Sequence, residues 1–116
     1  MINYTTWPLG RFAYNMYESD EQYIVALEAP GFSKSDFEIE WKGDKLIVSG
    51  KPSPFLVDEQ RVETIHEGIR RTPVYIAFRD EDDILSRNNT KAEYKDGILI
   101  ITIPKDQQSN KKIQVV

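Results

Sequence analysis

The sequence predicts an all-β fold, an antiparallel β-sandwich of immunoglobulin-like type. Three observations carry this. Apolar residues recur at every second position in several short runs, the period of a strand with one buried face. The runs are parted by turn residues such as Pro30-Gly31, Lys42-Gly43-Asp44 and Asp96-Gly97, which adopt the dihedrals that tight turns need. No long run follows the 3.6-residue period of an amphipathic helix. At 116 residues the chain fits one domain with one modest core.

Bulk properties narrow the function. The formal charge is −4 with both signs spread along the chain, which argues against nucleic acid as the main partner. The chain has no cysteine, so disulfides and thiol chemistry are excluded. Met1 to Arg11 lacks the basic start and apolar run of a signal peptide. No stretch approaches the roughly 18 apolar residues of a membrane helix. A soluble cytoplasmic protein, without membrane partners, is the expectation.

Residues 1–11 show no period and are read as a short arm. A domain follows over residues 12–105. Phe12, Tyr14 and Met16 alternate with Ala13, Asn15 and Tyr17, a strand from Phe12 to Glu18 that turns at Ser19-Asp20-Glu21. Gln22 to Ala29 places Tyr23, Val25 and Leu27 on one face, a strand in the body of a sheet. These two form a first hairpin. Pro30-Gly31-Phe32 breaks the pattern, and Ser33 with Asp36 three residues on suggests one capped helical turn. Phe37, Ile39 and Trp41 against Glu38 and Glu40 make a half-buried strand, in which Trp41 reads as core or edge packing. After the Lys42-Gly43-Asp44 turn, Leu46 and Val48 point inward in a strand that closes a second hairpin.

Lys51 to Glu63, with Pro52 and Pro54, is the longest stretch without period and separates two strand-rich halves. A strand is expected again up to Phe78, with Pro73 inside it marking an edge or a bulge. Asp80-Glu81-Asp82-Asp83 lacks the glycine and final glutamate of a calcium loop, so it reads as a solvated acidic loop, and no metal is expected. Ile84 and Leu85 anchor a turn over the sandwich edge. Ala92 to Pro104 is a hairpin about Asp96-Gly97, whose second, isoleucine-rich strand is expected to be central and largely buried until Pro104 ends the ladder. Residues 106–116 are a polar tail ending Ile113-Gln114-Val115-Val116, two branched side chains on one side of an extended segment. Such a peptide suits addition to a sheet edge.

Catalysis needs a constellation that is not found. His66 is the one histidine, and G-x-S-x-G, phosphate-loop and H-E-x-x-H patterns are absent. The chain reads as a non-enzyme without cofactor, and no ATP site is implied.

Ala92, Asp96, Gly97, Ile98 and Leu99, then Ile103-Pro104-Lys105 and a later Ile-x-Val, resemble the A-x-x-x-n-G-v-L element of the small heat shock proteins (Hsp20, α-crystallin domain). Ala29-Pro30-Gly31-Phe32 and Leu46-Ile47-Val48-Ser49-Gly50 extend the resemblance to roughly Ala13 to Lys105. Thr64-Ile65-His66-Glu67-Gly68-Ile69 is similar to the Tyr-Leu-His-x-Gly-Ile element of the inclusion-body-associated branch, with Thr64 in place of the aromatic. That branch continues with alternating arginines and phenylalanines ending Phe-x-Leu. Here Thr72 and Ile76 stand at two of the arginine positions, so the usual interface arginine is missing.

The resemblance implies an ATP-independent chaperone that binds partly unfolded clients and forms a homo-dimer assembling into a larger homo-oligomer. It implies that Val62, Glu63, Thr64, Ile65, His66, Gly68 and Ile69 form a segment exchanged between subunits. It implies that Ile113 and Val115 anchor on a receiving edge at Leu46 and Val48 and at Thr90, Ala92 and Tyr94. Trp7, Leu9 and Phe12 are the candidate client contacts. The rival readings are a CS-type adaptor, which docks on a folded chaperone, and a carbohydrate-binding module using Trp7, Trp41 or the tyrosines. The crossing segment and the tail speak against the adaptor.

Overall fold

A computed structural model describes residues 2–6, 13–54, 61–68, 72–106 and 115. Among the described residues eight strands form two antiparallel sheets. They are β1 (Ile2–Thr6), β2 (Tyr14–Glu18), β3 (Gln22–Glu28), β4 (Phe37–Lys42), β5 (Lys45–Gly50), β6 (Val74–Asp80), β7 (Lys91–Lys95) and β8 (Ile98–Pro104), with a 3-10 turn at Lys34–Asp36. One sheet runs β1-β6-β5-β4 and the other β2-β3-β8-β7. The expected all-β sandwich class is what the chain adopts. Among the described residues no helix is long and apolar enough to cross a membrane.

The alternation becomes the core. Val25 and Leu27 of β3, Leu46 and Val48 of β5, Ile76 and Phe78 of β6 and Ile101 and Ile103 of β8 are the largest fully buried side chains. Each contributes about 1.5–3 kcal/mol by leaving water. The interior position of β8, paired to β3 and to β7, agrees with the expected central strand. Its burial is one-sided, however. Leu99, Ile101 and Ile103 are buried, whereas Ile98 and Thr102 are half-buried and Ile100 keeps 38% of its surface.

The turns follow the residue types. Asp96 and Gly97 both have positive φ, 53° and 79°, the pair of left-handed positions of a two-residue hairpin turn. A β-carbon on Gly97 would lie 3.4 Å from Pro30 Cα. The Ala29 N–H donates to the Gly97 carbonyl at 2.8 Å, tying the two turns together. Before the 3-10 turn, the Ser33 N–H donates to Asp36 Oδ2 at 2.8 Å, and the Asp36 N–H donates to the Ser33 carbonyl at 2.9 Å.

Three expectations are corrected. Ile2–Thr6, read as part of a short arm without period, is a strand paired with Ile76–Asp80 of β6. An edge strand takes its hydrogen bonds from a distant neighbour, so it needs no period of its own. Pro73 is not inside a strand; it stands immediately before β6, where its missing N–H costs no ladder bond. Asp80 is not solvated. It is 5% exposed and accepts hydrogen bonds from the backbone N–H groups of Ile84 and Leu85, both at 3.1 Å. The carboxylate thereby closes the turn that brings Leu85 into the core.

Candidate functional site

The strand order leaves β4 at the edge of one sheet and β7 at the edge of the other. Two contacts show that these edges lie side by side. The rings of Phe37 and Tyr94 are 5.2 Å apart and tilted by 51°. Four residues along β4, the Trp41 indole Nε1–H donates to Thr90 Oγ1 at 3.2 Å. The strands therefore run antiparallel across the gap, and Ile39 stands opposite Ala92, midway between the two closures. Ala92 is exposed although it shares a face with Tyr94 and pairs with buried Ile101. Between the two aromatic closures lie half-buried Ile39 and the small, exposed Ala92, and this stretch between the two edges is the candidate slot.

Both closures are held from behind. The Tyr94 hydroxyl donates to the Ala29 carbonyl at 2.6 Å, and Phe32 stacks on Phe37 with centroids 5.1 Å apart. At the other end the Thr90 hydroxyl donates to the Ser86 carbonyl at 3.0 Å. The Arg87 guanidinium lies 5.2 Å from the Trp41 ring centroid, a geometry for cation–π attraction. Around the slot β4 alternates outward Glu38, Glu40 and Lys42, and β7 Lys91, Glu93 and Lys95, so both signs border it. Among the described residues neither edge pairs with a further strand, so the slot offers two main-chain edges to an extended peptide.

The sequence-predicted residues fall unevenly on this geometry. Thr90 stands immediately before β7, and Ala92 and Tyr94 lie on it, along that edge. Leu46 and Val48 are a correction: β5 is paired on both sides, to β4 and to β6, and both side chains are buried. A strand with both ladders filled has nothing left to offer a peptide. The edge on that side is β4, so Phe37, Ile39 and Trp41 were missed. Their signal was a strand whose outward residues are all charged, a common guard for an edge.

Val62, Glu63, Thr64, Ile65, His66 and Gly68 form no strand in the single chain, and all are exposed. Ile65 keeps 96% of its surface, unusual for isoleucine. Ile69, the anchor residue Ile113, and Trp7, Leu9 and Phe12 lie outside the described residues. Val115 is 98% exposed. Ile76, at the position of the missing arginine, is fully buried. Among the described residues no three His, Cys, Asp or Glu side chains gather in a metal-binding cluster.

At the other end of its sheet from β7, β2 is the outermost strand among the described residues. There Lys105 Nζ, on a side chain only 14% exposed, sits 2.7 Å from Glu18 Oε2 and 5.2 Å from the Tyr23 ring centroid. Hydrogen bonds from Lys105 and then from Tyr23 hold the Glu18 carboxyl below the usual carboxylate range.

Comparison with known proteins agrees with the geometry. The sequence model of the Hsp20/alpha crystallin family matches residues 15–116. The heat shock protein HSP.16.4 of Streptococcus thermophilus is 32% identical over 101 residues, covering 86% of this chain and 68% of the relative. The small heat shock protein IbpB of Yersinia pestis is 32% identical over 97 residues, and the chain spans 59% of its length. The likeness to the inclusion-body-associated branch is thus carried by a named relative. Among solved structures, heat shock protein 16.0 from Schizosaccharomyces pombe aligns with a TM-score of 0.68 at 22% identity, over 90% of this chain and 80% of that one. A small heat-shock protein from Xylella fastidiosa gives 0.65 at 21% identity, over 90% and 95%. The fold, the edge slot and these matches lead to one assignment: the chain belongs to the Hsp20/alpha crystallin family.

Proposed function

We propose that the protein is an ATP-independent holdase, which binds partly unfolded proteins and stops their aggregation. The observation that carries this reading is the slot between β4 and β7, where Ile39 and Ala92 lie between two strand edges that pair with no further strand among the described residues. Four residues of strand separate its closures, about 13 Å. Two branched side chains at i and i+2 are about 7 Å apart, so the pair Ile113 and Val115 fits within that length.

Tail docking in this reading links homo-dimers into a larger homo-oligomer and keeps the slots covered. Each branched side chain contributes about 1.5–3 kcal/mol if fully desolvated. Ordering the tail opposes this by about 1–2 kcal/mol per residue. A single anchor is therefore weak and reversible, while several in a closed shell gain by effective concentration. The dimer forms in this reading through exchange of the segment at Val62 to Ile69, whose apolar Val62 and Ile65 are exposed in one chain. Named as small heat shock proteins, the relatives support a chaperone rather than a sugar-binding role. Work in the cytoplasm is part of the same reading.

The test is thermal aggregation of a model client followed by light scattering. Protection is expected at a few subunits per client. No protection at a several-fold excess of subunits would sink the holdase reading.

A further inference from the structure

We propose that the β4–β7 slot has a direction. It takes the tail of a second copy of this chain with Lys112 at the Phe37–Tyr94 end, the direction in which a chain cannot fill its own slot. This deepens the tail-docking reading above and rests on it.

The charge along the slot differs from end to end. Phe37 stands beside Tyr94 and Trp41 beside Thr90, so Glu38 falls opposite Glu93 and Glu40 opposite Lys91. Glu38 and Glu93 are both exposed, and neither has an ion pair among the described residues. Just beyond them Asp36 and Lys95 stand opposite each other and balance in charge. The Phe37–Tyr94 end therefore has two acids in excess. At the other end Lys42 Nζ lies 3.3 Å from Glu40 Oε1, and the Arg87 guanidinium lies 3.8 Å from Asp83. Lys91 is left over, so that end has one cation in excess.

The tail carries its charge on one side of its apolar pair. It reads Lys111-Lys112-Ile113-Gln114-Val115-Val116. In an extended peptide Ile113 and Val115 share a face, and centring Gln114 on Ile39 and Ala92 puts Lys112 level with one closure. At the Phe37–Tyr94 closure Lys112 stands one residue along from Glu38 and Glu93, about 3.3 Å in the strand direction. Reversed, it stands at the Trp41–Thr90 closure, among Lys91, Lys42 and Arg87. The first placement is attractive and the second repulsive, over separations well inside the roughly 10 Å reach of charge at 0.1 M salt.

Direction decides which tail can dock. Leu99 pairs with Tyr94, and from there the chain runs on through β8 to Lys105, whose N–H donates to the Glu21 carbonyl at 2.7 Å. From Leu99 to Asp106 is about seven residues of extended chain, roughly 23 Å. A tail must recover that distance to bring Lys112 of the same chain level with Tyr94. Asp106 to Lys112 is about six residues, which span at most about 20–22 Å, and the tail must also cross β7. It falls short. In the reversed direction Lys112 has only to reach the level of Thr90. Lys91 pairs with Thr102, so Thr90 is level with Ile103, about three residues or 10 Å from Asp106. Self-docking is then within reach. The charges therefore disfavour the direction that closes a chain on itself and favour the one that links it to a neighbour.

The test uses the full chain, which has no cysteine of its own. Asn110 is two residues before Lys112, Ser35 two before Phe37 and Asn88 two before Thr90. Ser35 and Asn88 are both exposed. Asn110→Cys is combined with Ser35→Cys in one protein and with Asn88→Cys in another, and disulfides are read by non-reducing gel and mass. At low salt the 35–110 pair should link separate copies, in roughly threefold or greater excess over the 88–110 pair. That excess should shrink toward equality at about 0.5 M salt. Adding Glu38→Lys with Glu93→Lys should move the linkage to position 88, within one chain, and light scattering should show large species replaced by small ones. Circular dichroism checks the fold, and Glu38→Gln with Glu93→Gln, a milder pair, should reduce the excess without reversing it. Linkage mainly at position 88 in the parent charges, or an excess unmoved by salt and by both charge variants, overturns the direction and leaves tail docking intact. Linkage at position 35 within a single chain overturns it as well. Linkage at neither position overturns the tail-docking reading and the direction with it.

Discussion

Filling the slot at its centre is the sharpest probe of the β4–β7 site. Ala92 faces the gap opposite Ile39 and is exposed, so Ala92→Phe adds a ring to open space rather than to a packed core. The fold should be nearly unaffected; surface changes of this kind usually stay within about 0.5 kcal/mol. The ring occupies the volume that one branched side chain of the tail would take. Losing one such burial removes about 1.5–3 kcal/mol. At about 1.4 kcal/mol per factor of ten, docking should weaken roughly 10- to 150-fold. Trp41 borders the slot and serves as reporter once Trp7 is changed to Phe. A peptide of residues 110–116 titrated into the parent should shift the Trp41 emission, and into Ala92→Phe it should not. Light scattering should show large species replaced by dimers. Identical peptide binding and identical mass in a folded variant would refute the slot as the tail's receptor.

Three further outcomes are expected. Asp80→Ala removes the acceptor of two amide N–H groups, one buried and one half-buried, and should lower stability by about 1–3 kcal/mol; urea unfolding measures this, and Asp80→Asn should recover part of it. Glu18 has its pKa lowered, first by the hydrogen bond from Lys105. Its contribution is thus present above the unfolded carboxylate pKa and lost as pH falls through the depressed folded value. The difference in thermal midpoint between parent and Glu18→Gln should therefore vanish on acidification. Ile65→Asp changes a side chain that is 96% exposed in the single chain, so circular dichroism should not change while sedimentation shows more monomer. Unchanged dimer would remove Ile65 from the exchange interface.

Much of this protein was legible in its sequence because the information is local. Alternation in Gln22 to Ala29 and Phe37 to Trp41 assigns a buried face residue by residue, since strand geometry repeats every two residues. Asp96-Gly97 names its own turn, because positive φ at two successive positions admits few residue pairs. The family resemblance followed from the same local runs. Strand order is a different kind of information. Leu46 and Val48 have the alternation that an edge or an interior strand would have. Only pairing with β6, some thirty residues away across the Pro52–Pro54 stretch, fills the second ladder of β5 and passes the edge to β4. Ile2–Thr6 became a strand for the same reason, because β6 offered an unpaired edge. Asp80 was read as solvated since nothing in its acidic run distinguishes it from its neighbours. The tertiary turn supplied two amides that make its burial tolerable. Side-chain periodicity decides which face of a strand is inside, but which strands are left with a free edge depends on partners distant in the chain, and in this protein the slot is made by two such edges.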